Sequence, residues 1–315
     1  MNAIPHALEI LYTDTRIDGR GIAETRDISL SFFTARGSVL VEKGKTKVVA
    51  SSKLAVLSGK QLRSGRVTVT CNLSSELKET IEHVNLADLL NSTFASDQIV
   101  PKDTLVIIPG AMYFVIRCSV EVLQDDGGLR DACIIAAGTS IYHMGIPNVQ
   151  AYRGSSIDTC NKKQVEEFTT HIMSLPRDEL ITMRYIPLSV TFGHLDKRRI
   201  RLYQLSSAAN MEDAFDKDED EHKQETSGIQ YDYLIDCCRE ELELCAGCTT
   251  IVLDKSGLTN GLYKLAGAPI SPHDLVQMTV EAHEAIRHAS TDIEAAVIAD
   301  INARKKELVT KVKGC

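Results

Sequence analysis

The chain has 315 residues, 43% hydrophobic and 25% charged, with a formal net charge of −8. That balance excludes a disordered polymer, and no apolar run approaches the ~20 residues of a bilayer span. The opening MNAIPHALEILYTDTR lacks the basic start and long apolar stretch of a secretory signal, so neither export nor membrane insertion is expected. Charge is uneven: residues 212–225 hold eight acids against two lysines, a net of −6, leaving −2 for the remainder. An acidic total excludes a uniformly basic surface, not nucleic acid.

Residues 1–15 read as a short helix with Ala7, Leu8, Ile10 and Leu11 on one side, ended by the turn Arg16-Ile-Asp-Gly-Arg20. Alternating and β-branched runs at Ile28–Phe33, Gly37–Glu42, Lys47–Ser52 and Val67–Leu73 read as strands. Links as short as Glu42-Lys-Gly-Lys45 predict antiparallel hairpins. A helix is predicted over 76–95, with Ile81, Val84, Leu86, Leu89 and Leu90 inward. Leu105–Ile108 and Tyr113–Leu123 return to strand, Asp125-Asp-Gly-Gly128 turns the chain, and Ala132–Tyr142 reads as a small-residue helix able to pack closely on a sheet. Polar residues 154–180 form a joint. Strands at Ile186–Phe192, Arg199–Leu205, Cys248–Asp254 and Leu258–Ala266 then flank an acidic helix-or-loop region at 211–246. One long helix closes the chain from Ser271 to Lys313, with Ser271 as N-cap and Pro272 behind it. Two halves with strands first and helix last predict an α+β fold rather than a doubly wound sheet.

Chemical motifs are sparse. Nine cysteines form no disulfide frame, and Cys245-Ala-Gly-Cys248 lacks the second pair a zinc site needs, so free thiols are expected. Gly44-Lys-Thr46 resembles the end of a nucleotide-binding loop, but six residues rather than four separate Gly37 from Gly44, and the segment reads as a hairpin. His283 and His288 are five apart, not one-face spacing for a metal. Asp125 and Asp126 before two glycines build a turn more readily than a metal pair. The acidic run reads as a solvated insertion.

Several segments, taken in order, resemble the RNase PH family. Arg16-Ile-Asp-Gly-Arg20, Arg26-Asp-Ile-Ser and Gly37-Ser-Val-Leu-Val-Glu-Lys-Gly-Lys-Thr-Lys-Val-Val-Ala50 are similar to its opening. Val106-Ile-Ile-Pro-Gly110 through Arg117, Asp125-Asp-Gly-Gly-Leu-Arg-Asp-Ala132 and Ile146-Pro-Asn148 continue it. Ile186-Pro-Leu-Ser-Val-Thr-Phe192, Thr250-Ile-Val-Leu-Asp-Lys-Ser-Gly257 and Ala266-Gly-Ala-Pro-Ile-Ser-Pro272 resemble its C-terminal half, so the likeness spans roughly 16–290 with an interruption near 207–246. The resemblance implies an RNase PH fold of two βαβ-type halves and six-membered rings around an RNA channel. Its members are phosphorolytic 3′→5′ exoribonucleases and inactive relatives in the RNA exosome.

The resemblance also implies lost chemistry. Active members carry Gly-Gly-Thr-Arg-Thr to cradle phosphate, where this chain has Gly127-Gly128-Leu129-Arg130-Asp131. Asn91 stands where a second phosphate-holding Arg is expected, and Gln204 where the first metal-binding acid belongs. The expectation is a non-catalytic ring subunit without cofactor or bound metal, supporting RNA 3′-end processing and degradation by ring assembly and RNA threading. Alternatives are an active phosphorolytic 3′→5′ exoribonuclease and a scaffold without RNA contact. Expected partners are other PH-like ring subunits, cap proteins, single-stranded RNA and an associated hydrolytic nuclease, in nucleus, nucleolus and cytoplasm. Candidate RNA-binding residues are Lys60, Arg63, Arg66, Arg117 and Arg130. Expected boundaries are 1–24 for the N-terminal helix and turn, 25–160 for the first domain, 161–184 for a linker, 185–290 for the second domain and 291–315 for the helix end.

Overall fold

The computed structural model describes residues 15–59, 64–74, 80–155, 157–177, 179–201 and 232–313. Lys60, Arg63, Gln204, the acidic run at 212–225 and nearly all of the helix expected over 1–15 lie outside the described residues.

Two sheets enclose one helix. In the first half, β1 (Ile28–Phe32), β2 (Ser38–Lys43) and β3 (Thr46–Ser58) form consecutive antiparallel hairpins, as the short links predict. Along β3 inward and outward residues alternate, Thr46, Val48, Ala50 and Ser52 lying buried, which fixes the register. The strand β4 (Arg66–Leu73) does not fold back on β3; it runs parallel to β6 (Met112–Gln124), which lies between them. A short β5 (Val106–Ile108) also pairs with β6, so the sheet order is β1-β2-β3-β6-β4 with β5 beside β6. The helix expected over 76–95 is two pieces: a turn at Ile81–His83 and α1 (Leu86–Phe94). Asn85 between them takes a left-handed conformation, φ +57°, which breaks the run.

The helix α2 (Leu129–Met144) is buried on every side; all its residues but Tyr142 are inaccessible. It lies on β2, β3 and β6 with one side and on β7 (Leu188–Leu195) with the other. Ala132, Ala136, Ala137, Gly138 and Ser140 permit that approach: a Cβ on Gly138 would come within 3.0 Å of Ile186 and 3.1 Å of Pro187. The joint at 154–180 carries an amphipathic helix of its own, α3 (Lys162–Ser174), N-capped by Asn161.

The second sheet adds β8 (Tyr233–Ile235), β9 (Cys245–Leu253) and β10 (Thr259–Ala266) in the order β10-β9-β7-β8, all antiparallel. The strand expected at Arg199–Leu205 is corrected where it is described: residues 197–201 are helical, with Asp196 accepting the backbone N–H groups of Arg198 and Arg199. A short α4 (Arg239–Leu242) precedes β9. The long terminal helix is two, α5 (Pro272–Ile286), capped by Ser271, and α6 (Ala289–Lys313). Arg304 on α6 pairs with Asp300 and donates to the carbonyls of Phe33 and Thr34, both 2.6 Å, tying the chain's end to its first hairpin.

On β7, a Cβ on Gly193 would fall 2.6 Å from the Cys237 sulfur and 2.7 Å from the Cys245 sulfur. Strand propensity alone would favour Ala there by roughly 0.5–1 kcal/mol. Crowding reverses the sign, and Gly193→Ala is expected to lower the unfolding free energy by about 1–3 kcal/mol in urea denaturation; an unchanged or raised midpoint would contradict this packing.

Candidate functional site

The turn between β6 and α2 lies against the second half of the chain. Gly127 and Gly128 have φ of +83° and +61°, and a Cβ on Gly127 would stand 2.2 Å from the Cys237 carbonyl oxygen. At Gly128 it would stand 2.5 Å from both the Arg26 guanidinium and the Asp236 carboxylate. No other residue type fits either place. Asp125 shapes the turn by accepting the Gly127 N–H at 2.9 Å, and its other oxygen meets His83 Nε2 at 2.8 Å. Burial pushes the Asp125 carboxyl up, but these bonds outweigh it and hold it below the usual range.

At the start of α2 the Leu129 N–H and the side chains of Arg130 and Asp131 are engaged from inside the protein. The Leu129 N–H donates to Glu82 Oε2 at 2.9 Å. Arg130, 2% exposed, donates to the carbonyls of Glu82 at 3.1 Å and Val84 at 2.6 Å and to the Thr250 hydroxyl at 3.4 Å. Asp131 is fully buried and accepts Lys43 Nζ at 2.9 Å, the Ser189 and Thr191 hydroxyls at 2.8 Å, and the Thr191 N–H at 3.1 Å. Lys43 also reaches Asp236 at 3.0 Å.

Asp236 gathers the rest. It accepts the Arg26 N–H at 2.8 Å and the Arg26 guanidinium at 2.7 and 3.2 Å, with Arg20 at 3.3 Å. Burial alone would raise the Asp236 carboxyl; Lys43 and Arg26 overcome it and hold it far below the ordinary range. Burial likewise opposes the Lys43 charge, and Asp131 and Asp236 raise its pKa in spite of it. Arg16, also buried, pairs with Glu241 and donates to the carbonyls of Ile235 and Asp236. The opening Arg-x-Asp-Gly-Arg motif is thus a clasp on residues 235–241.

Residues 24–147 match the model of the 3′ exoribonuclease family, domain 1, known as RNase PH. This stretch of the chain is thus similar to the first domain of the RNase PH family. It is 22% identical over 316 residues to the exosome complex component rrp45 of Schizosaccharomyces pombe, covering 98% of this chain and 93% of that protein. It is 29% identical over 202 residues to the exosome complex component Rrp42 of Thermococcus gammatolerans, covering 60% of this chain and 68% of that protein. Among solved structures, a chain described as the Archaeoglobus fulgidus exosome with RNA bound to the active site superposes with a TM-score of 0.65 at 21% identity, over 92% of this chain and 97% of the other. That likeness establishes the α+β RNase PH fold.

Within this RNase PH fold the sequence-derived candidates separate. Arg66 and Arg117 are exposed on β4 and β6 of the first sheet. Arg130 lies in the interior, its guanidinium donating to the carbonyls of Glu82 and Val84 and to the Thr250 hydroxyl. Asn91 has a structural task, its amide bridging the Val69 N–H and C=O at 3.0 and 2.7 Å and so pinning α1 to β4. Cys245 and Cys248 lie buried in β9, and the described residues contain no group of His, Cys, Asp and Glu arranged to hold a metal ion. Motif reading missed Glu82, Lys43 and Asp236. For Lys43 a signal existed, since it continues the inward face of Val39 and Val41 on β2.

Burial raises the Glu82 carboxyl to about 8; the Leu129 N–H opposes that rise, and Asp131 and Asp125 add to it. An acid whose pKa is higher folded than unfolded binds a proton on folding. Its stabilising contribution is complete below its unfolded value near 4.5 and is lost as pH rises through about 8. Glu82→Gln keeps the shape without the titration, so its unfolding free energy is expected to fall less than the wild type's across that window. Urea unfolding at stepped pH measures this, and a constant difference between the two proteins would contradict the assignment.

Proposed function

We propose that this chain is a non-catalytic ring subunit of an exosome, helping to build the ring and the passage through which single-stranded RNA reaches a separate nuclease. One observation carries the catalytic half of the reading: the turn that would cradle phosphate is filled by the protein itself. Phosphorolysis requires N–H donors and cations directed at an external phosphate. Here the Leu129 N–H faces Glu82, Arg130 faces backbone carbonyls, and Lys43 faces Asp131 and Asp236. Glu82 already occupies the Leu129 N–H, and burial with the neighbouring Asp131 and Asp125 raises its carboxyl to about 8.

The assembly half is supported by relatives described as exosome complex components. The partners that go with it are PH-like neighbours, cap proteins, RNA and a hydrolytic nuclease, in nucleus, nucleolus and cytoplasm. RNA contact in such a passage is made by cations tracking the backbone rather than by base readout.

Incubating the purified chain with RNA, inorganic phosphate and magnesium is expected to release no nucleoside diphosphate above the buffer control. Release that requires phosphate, fails with sulfate and co-purifies with the chain would establish the active exoribonuclease instead.

A further inference from the structure

The face of the first sheet turned away from α2 carries an arrangement that folding does not require. Lys53 on β3 lies directly opposite Arg117 on β6, which lies opposite Thr68 on β4. Arg66, opposite Val115, is one step along the same face. The three cations are exposed, and among the described residues none has an ion-pair partner. Glu121, the acid that shares their face on β6, is four residues from Arg117, or roughly 13 Å along a strand. Like charges directly across two strands destabilise a sheet. Lys53 and Arg117 therefore cost stability in the free chain and would be relieved by an anion.

The surroundings indicate which anion. The cations border a cleft of about 690 Å³ that is also lined by the hydroxyls of Ser51, Thr68, Thr70 and Ser119, by the carboxylate of Glu121 at one end, and by Leu57 and Val115. No aromatic and no exposed large apolar side chain lines it. Protein interfaces centre on apolar and aromatic anchors, whereas nucleic-acid faces are polar and positive. We propose that this cleft binds the phosphodiester backbone of single-stranded RNA, with Lys53, Arg117 and Arg66 each meeting one phosphate and the hydroxyls donating to adjoining phosphate oxygens. The choice of RNA among phosphodiester chains rests on the proposed function; the site and its charge do not. Without a stacking side chain, binding is indifferent to base identity. Lys53 is a contact that no sequence motif indicated, and Arg130 has no part in it.

Fluorescence anisotropy of labelled oligouridylate and oligoadenylate against the full chain, over a salt series, tests the site. Equal affinity for the two is expected, with log K falling against log salt at a slope of about 2, from three contacts at about 0.7 each. Lys53→Gln should reduce the slope by about 0.7 and, by removing the repulsion with Arg117, raise the melting temperature, which separates lost binding from lost fold. Replacing Lys53, Arg66 and Arg117 together by Gln should weaken binding roughly tenfold or more and flatten the slope. Unchanged affinity and slope in that triple variant would overturn the site. Tighter binding of labelled polyglutamate than of RNA would assign the face to an acidic protein and overturn it as well. Phosphate-dependent degradation of the RNA would contradict the non-catalytic reading and leave this site standing.

Discussion

Lys43 is a buried ammonium held between two buried carboxylates, Asp131 at 2.9 Å and Asp236 at 3.0 Å. Taking such ions out of water costs several kcal/mol each, and removing one partner of a buried pair destabilises by about 3–5 kcal/mol. The three residues come from β2, the start of α2 and the segment after β8. A constraint this strong therefore joins the two halves of the chain at one point. Arg26 and Arg20 balance the remaining charge of Asp236, and Arg16 repeats the arrangement with Glu241. The glycine turn above α2 is shaped to this cluster, because only glycine leaves room for Arg26, Asp236 and the Cys237 carbonyl.

The same cluster defines what the turn can do. A helix start and nearby cations make a favourable place for an external anion, but an internal carboxyl reaches that place without the loss of translational freedom a ligand suffers. Glu82 takes the Leu129 N–H, and Asp131 takes Lys43 together with two hydroxyls of β7. These groups tie the sheets to α2. The cations that remain open, Lys53, Arg66 and Arg117, stand on the outer face of the first sheet. Interior and exterior charge thus differ: buried charge ties the fold together, and these exposed cations have no ion-pair partner among the described residues.

Much of this was legible because alternation is local. The hairpins β1-β2-β3 follow from period-two burial and short links, and the small residues of α2 announced close packing. Errors arose where the deciding contact is distant. The burial of Arg130, a candidate RNA-binding residue in the sequence, was not visible there because its acceptors Glu82 and Thr250 lie 48 and 120 residues away. No glycine or proline marks the break between α5 and α6 at 287–288, so one helix was the natural reading of an unbroken pattern. Asp196 before three basic residues was an available helix-start signal, overridden by the apolar residues that follow. Glu82 gave no local sign: an acid in a polar turn is ordinary until α2 is placed against it.

The Leu129 N–H and the Arg130 and Lys43 side chains are taken up by partners within the protein. Titrating the full chain with inorganic phosphate while following the backbone amides of Gly127 to Asp131 by nuclear magnetic resonance tests this most directly. The account predicts no saturable shift at these amides at physiological phosphate concentrations. Saturable shifts confined to Gly128, Leu129 and Arg130, with release of Glu82 from the Leu129 N–H, would contradict it.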